Sequence, residues 1–178
     1  MATPPADRPL RERLPPGADP ADHGGVSAPV LRAAGADDQG RIRALVRGAR
    51  LNPADLDWRR FTVVEDGGVV VGVGQVRVHG DGSREIASLV VAPEHRGRGV
   101  AVELVDALVA SSPGPLYVLL DRAALPSWAR RWGFRPVRPA ALPRPVRREL
   151  RVGRVVAGVL GLRHGRRIRI VAARRDPA

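Results

Sequence analysis

The 25 residues from Glu85 to Val109, EIASLVVAPEHRGRGVAVELVDALV, run an apolar strand through a glycine-rich basic turn straight into an amphipathic helix. Leu89, Val90 and Val91 read as a buried strand and Pro93 to Gly99 as the turn, while Val100, Ala101, Leu104, Val105, Leu108 and Val109 fall at helical spacing on one face. Helix N-termini leave backbone N–H groups unpaired and carry positive partial charge, so a loop whose glycines let an anion approach the amides can hold a pyrophosphate. The segment therefore predicts an α/β fold and a nucleotide-like anionic ligand.

Within this segment Arg96 to Ala101, RGRGVA, fits the pattern RxxGx(G/A). In a chain this rich in arginine and glycine the bare pattern recurs by chance, and Arg77 to Gly82, RVHGDG, is a second match. Context separates them. The second copy ends one strand pattern and leads into another, which reads as a hairpin turn, and only Arg96 to Ala101 opens a helix. Downstream, Leu116 to Leu120 is a compact apolar strand after Pro113, Gly114 and Pro115, followed by a short helical candidate at Ala123 to Arg131 and by Trp132, Gly133 and Phe134. Strand, helix, strand in this order implies a right-handed crossover between parallel strands.

These motifs resemble those of the GCN5-related N-acetyltransferase (GNAT) superfamily. The resemblance rests on RGRGVA and on Gly133-Phe134, which matches the family's "GF" landmark, and its convincing part covers residues 85–137. Leu51 to Phe61, LNPADLDWRRF, extends it weakly upstream. It implies a mixed, largely antiparallel central sheet with flanking helices and a splayed parallel strand pair, Leu89 to Val91 and Leu116 to Leu120, forming an acyl-CoA cleft. It also implies acetyl-CoA as cosubstrate and direct attack by a primary amine on the thioester. The amides of Arg98, Gly99, Val100 and Ala101 would take the pyrophosphate, with Arg96 and Gly97 shaping the turn. Backbone groups of Leu89 and Val91, flanking Val90, would pair with the pantetheine arm like an added strand.

Glu85 lies eleven residues before Arg96, the spacing of the general-base glutamate in the histone-acetylating branch of that family. Its bland alternative is a solvated strand end. A backbone amide near Val91 would be the oxyanion donor. The family's general-acid tyrosine, five residues before the landmark phenylalanine, is replaced here by Ala129. Tyr117, the sole tyrosine, is the substitute candidate, and Ser127 a weaker one. The alternative is a noncatalytic acyl-CoA-binding module.

Upstream, Val30 to Ala34 reads as a strand, and Asp37 or Asp38 as the cap of a helix bearing Ile42, Leu45 and Val46. Leu51 to Arg60 reads as a helical turn or two. Phe61 to Val64 and Val69 to Val78 are strands joined by Asp66-Gly67-Gly68, and Gly80 to Ser83 turns the chain into Glu85 to Val91. After Val137, Arg147 to Gly161 forms a helix with Val152, Val155, Val156, Val159 and Leu160 on its apolar face and Arg147, Arg151 and Arg154 opposite, and Arg167 to Val171 alternates as a final strand.

With 178 residues the chain suits one domain, placed at residues 29–175, with 138–175 its arginine-rich helix and strand. Residues 1–28, with six prolines and almost no apolar periodicity, read as a disordered tail. Met1 is the only methionine, so a start at a later valine codon stays open. The absence of cysteine removes disulfides and thiolate metal sites, and the four histidines are scattered, so no metal is expected. No apolar run approaches a membrane span, and a cytoplasmic location is expected. The net charge is +12, and residues 138–178 hold twelve arginines against Glu149 and Asp176. Codon bias accounts for the overall arginine content, since the chain has no lysine. With six aromatics and no DNA-binding motif, nucleic acid is the weaker partner reading. The expected acceptor is a small-molecule or peptide amine, and a homodimer stays open.

Overall fold

The computed structural model describes residues 28–164 and 168–177, with side chains from 159 to 164 left aside. The tail expected over residues 1–28 lies, but for Ala28, outside them. Among the described residues seven strands form one mixed sheet: β1 (Val30–Ala33), β2 (Phe61–Asp66), β3 (Val69–Val78), β4 (Arg84–Val91), β5 (Leu116–Asp121), β6 (Arg135–Pro136) and β7 (Ile170–Arg175). Their spatial order is β1-β2-β3-β4-β5-β7-β6, with every neighbour antiparallel except β4 and β5. Four described α-helices flank it: α1 (Gln39–Gly48), α2 (Val100–Ala110), α3 (Leu125–Trp132) and α4 (Arg144–His164).

The antiparallel half follows from alternating valines and two tight turns. Gly67 and Gly68 both sit at positive φ, 57° and 79°, the backbone that a two-residue hairpin matched to strand twist needs. The β3–β4 turn is a hairpin too, closed by His79 N–H to the Ser83 carbonyl at 2.8 Å. The chance match at Arg77 to Gly82 therefore has the hairpin geometry expected of it.

α2 lies close against β3 because β3 presents glycines beneath it. A Cβ built on Gly72 would stand 2.6 Å from Val100 Cγ1, and one on Gly74 3.1 Å from Leu108 Cδ1. Side chains there would lift the helix off the sheet. α3 ends at Gly133, in left-handed backbone with φ 73°, and this turn drives Phe134 into full burial among Val105, Leu108 and Val118.

Four expectations need correction. Leu51 to Arg60 holds only a single 3₁₀ turn, Trp58–Arg60. Its polar side chains bond the backbone instead of leaving it to a helix: Asn52 Oδ1 accepts from the Ala54 amide at 3.0 Å and Asp57 Oδ1 from the Arg59 amide at 3.2 Å. Asp38 does not cap α1. Its carboxylate accepts from the Gly35 amide at 2.7 Å and pairs with Arg32 of β1 at 2.6 Å.

α4 begins at Arg144, and its buried stripe among the described side chains is Val146, Leu150 and Ala157, not the expected Val152, Val155 and Val156; the side chains of Val159 and Leu160, also expected on that face, lie outside the described ones. Val155 is 68 % exposed, and Val152 and Val156 stand at its side. Helical spacing alone could not rank two competing apolar stripes. Finally, the last strand is Ile170–Arg175. It pairs along the whole of β5, Leu116 opposite Arg175 through Asp121 opposite Ile170, so β5 sets its register; the expected start at Arg167 lies outside the described residues.

Candidate active site

The loop between β4 and α2 is built to leave amides free. The Ala92 amide closes β4 onto β3 through the Val71 carbonyl at 2.8 Å, and a 3₁₀ turn at Pro93–His95 follows. Gly97 and Gly99 then take φ of 77° and 88°, which L side chains rarely adopt, although nothing stands within 4 Å of where a Cβ would be. Conformation rather than crowding demands glycine there. The Gly99 carbonyl accepts from the Val102 and Glu103 amides at 2.8 and 3.1 Å. The amides of Arg98, Gly99, Val100 and Ala101 meet no acceptor among the described residues, so the N-terminus of α2 presents a cluster of donors to the surface. Two contacts brace the loop: Arg96 Nε donates to the Val91 carbonyl at 3.3 Å, and His95 Nε2 lies 3.3 Å from Asp66 Oδ2.

β4 and β5 pair over three residues only, Arg84 with Leu116, Glu85 with Tyr117 and Ile86 with Val118. Beyond them β4 bulges, with two residues, Ser88 and Leu89, opposite Gly74 of β3 and Ser88 at φ 53°. The strands then diverge into a wedge. Because the Ala92 amide faces β3, backbone alternation aims the amide and carbonyl of Val91 at the wedge and those of Val90 at β3.

The wedge opens on both faces of the sheet. Toward α2 and α3 a groove of about 580 Å³ is lined by Leu89, Ala101, Val105, Trp128 and Trp132. Toward α4 a cleft of about 600 Å³ is lined by Arg77, Glu85, Ser88, Leu89, Trp128 and Glu149, among others. Leu89 and Trp128 border both. Trp128 is held edge-on by Trp132 and Phe134, with ring centroids 4.9 and 5.4 Å away. Asp106 of α2 clamps α3 through Trp132 Nε1 at 2.6 Å and Arg131 at 2.9 Å.

On the α4 side, Glu85 is 4 % exposed. Its bland alternative, a solvated strand end, does not describe it. Burial pushes its carboxyl above the ordinary carboxylate range, against the pull of His79, whose Nε2 is 2.9 Å from Glu85 Oε2, and of Arg77. Arg77, 7 % exposed, is its cross-strand neighbour. Gln75, fully buried, donates to the Asp55 carbonyl at 3.2 Å and to Ser88 Oγ at 3.3 Å.

Glu85 and Leu89 thus border the α4-side cleft, Ala101 borders the opposite groove, and Val91 and Arg96 through Ala101 surround the loop. Val90 is buried in the core between β3 and α1. Tyr117 packs with Leu142, Val146, Leu150 and Ala172 beneath α4, the Arg174 guanidinium 5.9 Å above its ring, and is not among the cleft-lining side chains. Ser127 borders the α2–α3 groove, its hydroxyl donating to the Ala124 carbonyl at 2.7 Å. Sequence reasoning missed Arg77, His79, Asn52, Trp128 and Glu149. A signal for one was present: Gln75 and Arg77 break an otherwise apolar strand at every second position, which places both on one face.

The family model described as Acetyltransferase (GNAT) family matches residues 37–134, more than half of the chain. The chain belongs to this family. The parallel β4–β5 pair within a mostly antiparallel sheet is the GNAT fold. No curated protein is significantly similar to it in sequence. Among solved structures, this GNAT chain is similar to N-acetylglutamate synthase from Neisseria gonorrhoeae complexed with coenzyme A and L-arginine, at 19 % identity and a TM-score of 0.61 over 83 % of this chain. It spans only 33 % of that longer chain. Rv2747 from Mycobacterium tuberculosis, in complex with CoA, aligns at 23 % identity and a TM-score of 0.61 over 84 % of this chain and 99 % of its own. For yncA from Salmonella typhimurium with its cofactor acetyl-CoA the values are 16 %, 0.57, 84 % and 94 %. At these identities the likeness shows the fold alone.

Proposed function

We propose that the chain transfers an acetyl group from acetyl-CoA to a primary amine by direct attack. The observation that carries this reading is a single wedge with a donor-rich helix N-terminus on one side of the sheet and a buried carboxylate, Glu85, on the other. Similar chains solved with CoA or acetyl-CoA support the donor's identity.

The unpaired amides of Arg98 to Ala101 suit a pyrophosphate, and the wedge-facing backbone of Val91, with Leu89 beside it, suits the amides of a pantetheine arm. The amine nitrogen bonds to the carbonyl carbon of the acetyl-CoA thioester, giving a tetrahedral oxyanion that collapses as the C–S bond breaks and the nitrogen gives its second proton to solvent. Glu85, directly or through one water, takes the ammonium proton that must leave before the nitrogen can attack. The Val91 amide, facing the wedge, would serve as the oxyanion donor. Tyr117, packed beneath α4, is out of the reaction path in this reading, so the departing thiolate takes its proton from solvent.

Thiol release measured against an amine panel, with calorimetric CoA binding alongside, tests the proposal. Gly99→Asp sets a carboxylate against the pyrophosphate at a strained position, and CoA affinity is expected to vanish. Unchanged affinity in a folded Gly99→Asp variant rejects the loop. Tight CoA binding with no transfer to any amine favours the noncatalytic module.

A further inference from the structure

The transfer chemistry gives Arg77 no task, yet the cleft is arranged around it. A guanidinium carries five N–H donors. One, on Nη2, donates to the Ala54 carbonyl at 3.3 Å. The flanking carboxylates stand off: Asp55 Oδ2 is 3.6 Å from Nε and Glu149 Oε2 is 3.8 Å from Nη1, too far for hydrogen bonds. Both are held elsewhere. Arg60 grips the two oxygens of Asp55 at 2.5 and 2.6 Å, and Asn52 Nδ2 donates to Glu149 Oε2 at 3.1 Å. Nε of Arg77 is buried and meets no hydrogen-bond partner among the described residues.

Leaving buried charged donors unpaired is costly, and a folded chain tolerates it where something else completes the set. Arg77 borders the cleft on the α4 side and sits directly across from Glu85, at a separation of about 5 Å between backbones. An anion site and a candidate base are therefore immediate neighbours.

We propose that Arg77 docks a carboxylate of the acceptor, and that the acceptor is a free amino acid or close analogue carrying amine and carboxylate in one small molecule. This rests on the acetyltransferase reading of the wedge. The guanidinium fork matches a carboxylate in two parallel hydrogen bonds. Asp55 and Glu149 beside it disfavour a dianion such as a phosphate, and about 600 Å³ suits a small molecule.

The test is calorimetry on the CoA-loaded full chain, which needs no turnover, using each protein L-amino acid against its own α-carboxamide. At least one amino acid is expected to bind, with its carboxamide roughly 10- to 100-fold weaker, and Arg77→Gln should erase the difference. Arg77→Lys keeps the charge but loses the fork, so an intermediate ratio is expected; it also covers failure of Arg77→Gln to fold. Glu149→Gln retains an acceptor for Asn52 while removing a competing negative charge, and should tighten the acid. The proposal is overturned if carboxamides bind as well as acids, if the ratio survives Arg77→Gln, or if Glu149→Gln weakens acid and carboxamide alike. It also fails if no amino acid binds, whether or not peptides beginning with the same residues do. Absent transfer with the binding ratio intact counts against the acetyltransferase reading alone.

Discussion

Glu85 and Asp38 are carboxylates that the fold drives in opposite directions, and the contrast separates function from stability. Burial raises Glu85, so its base form is lost as pH falls through a value above the ordinary carboxylate range of about 4.3. We expect the acid limb of the pH–rate profile to sit above that range. Glu85→Gln should remove this limb and lower the neutral-pH rate by roughly 100-fold or more. Because the folded value exceeds the unfolded one, the ionised form costs stability that deepens as pH rises between the two and stays constant above. Glu85→Gln should therefore melt higher than wild type at neutral pH and no higher in acid; an equal or lower melting temperature at neutral pH contradicts this. Asp38 is held below its ordinary value, first by the hydrogen bond from Arg32, opposed by burial and assisted by the Gly35 amide. Its contribution is present above the unfolded value and lost as pH falls through the folded one. Asp38→Asn should cost about 1 kcal/mol at neutral pH in denaturant titration, and nothing once acid has protonated the wild type.

Among elements, α2 and β3 form the support of the loop between β4 and α2. Gly72→Ala would set a methyl 2.6 Å from Val100 Cγ1, at the first residue of α2. We expect a loss of about 1–3 kcal/mol in unfolding free energy together with weaker CoA binding, since the same displacement moves Gly99 and the free amides. Stability loss without an affinity change would uncouple helix seating from the loop. The strand, turn and helix of residues 85–109 were legible because each has its own local signal: an apolar run, glycines, then helical spacing. The burial of Glu85 was not, since a glutamate after a turn looks solvated until β3, β5 and α4 surround it. Arg77 and Glu149 meet from residues far apart in sequence, at 3.8 Å, and no local pattern encodes that meeting. The face of α4 was misread for a related reason. Val146 and Leu150 pack beneath it onto Tyr117 and Ala172, whereas Val152 and Val156 line the cleft, and only the sheet's position distinguishes the two stripes.

At the scale of the molecule, the sheet is two half-sheets, β1–β4 and β5–β7, joined by three residue pairs. A ligand strand in the wedge would add the missing rungs. Hydrogen exchange should then show the Val91 amide slowing when CoA binds while Val90, which faces β3, changes little; equal protection of both would argue against insertion between the strands. The described helices include none long and apolar enough to cross a membrane. The order β5-β7-β6 has a further consequence for a chain emerging from the ribosome. By Phe134 the donor loop, the wedge and Glu85 have all been made, but the outer edge of β5 still awaits β7 at Ile170–Arg175, and until it arrives that edge is an open template for another molecule's strand. Truncation just before β7 should accordingly yield aggregates rather than a smaller enzyme, although every residue of the family match would be present.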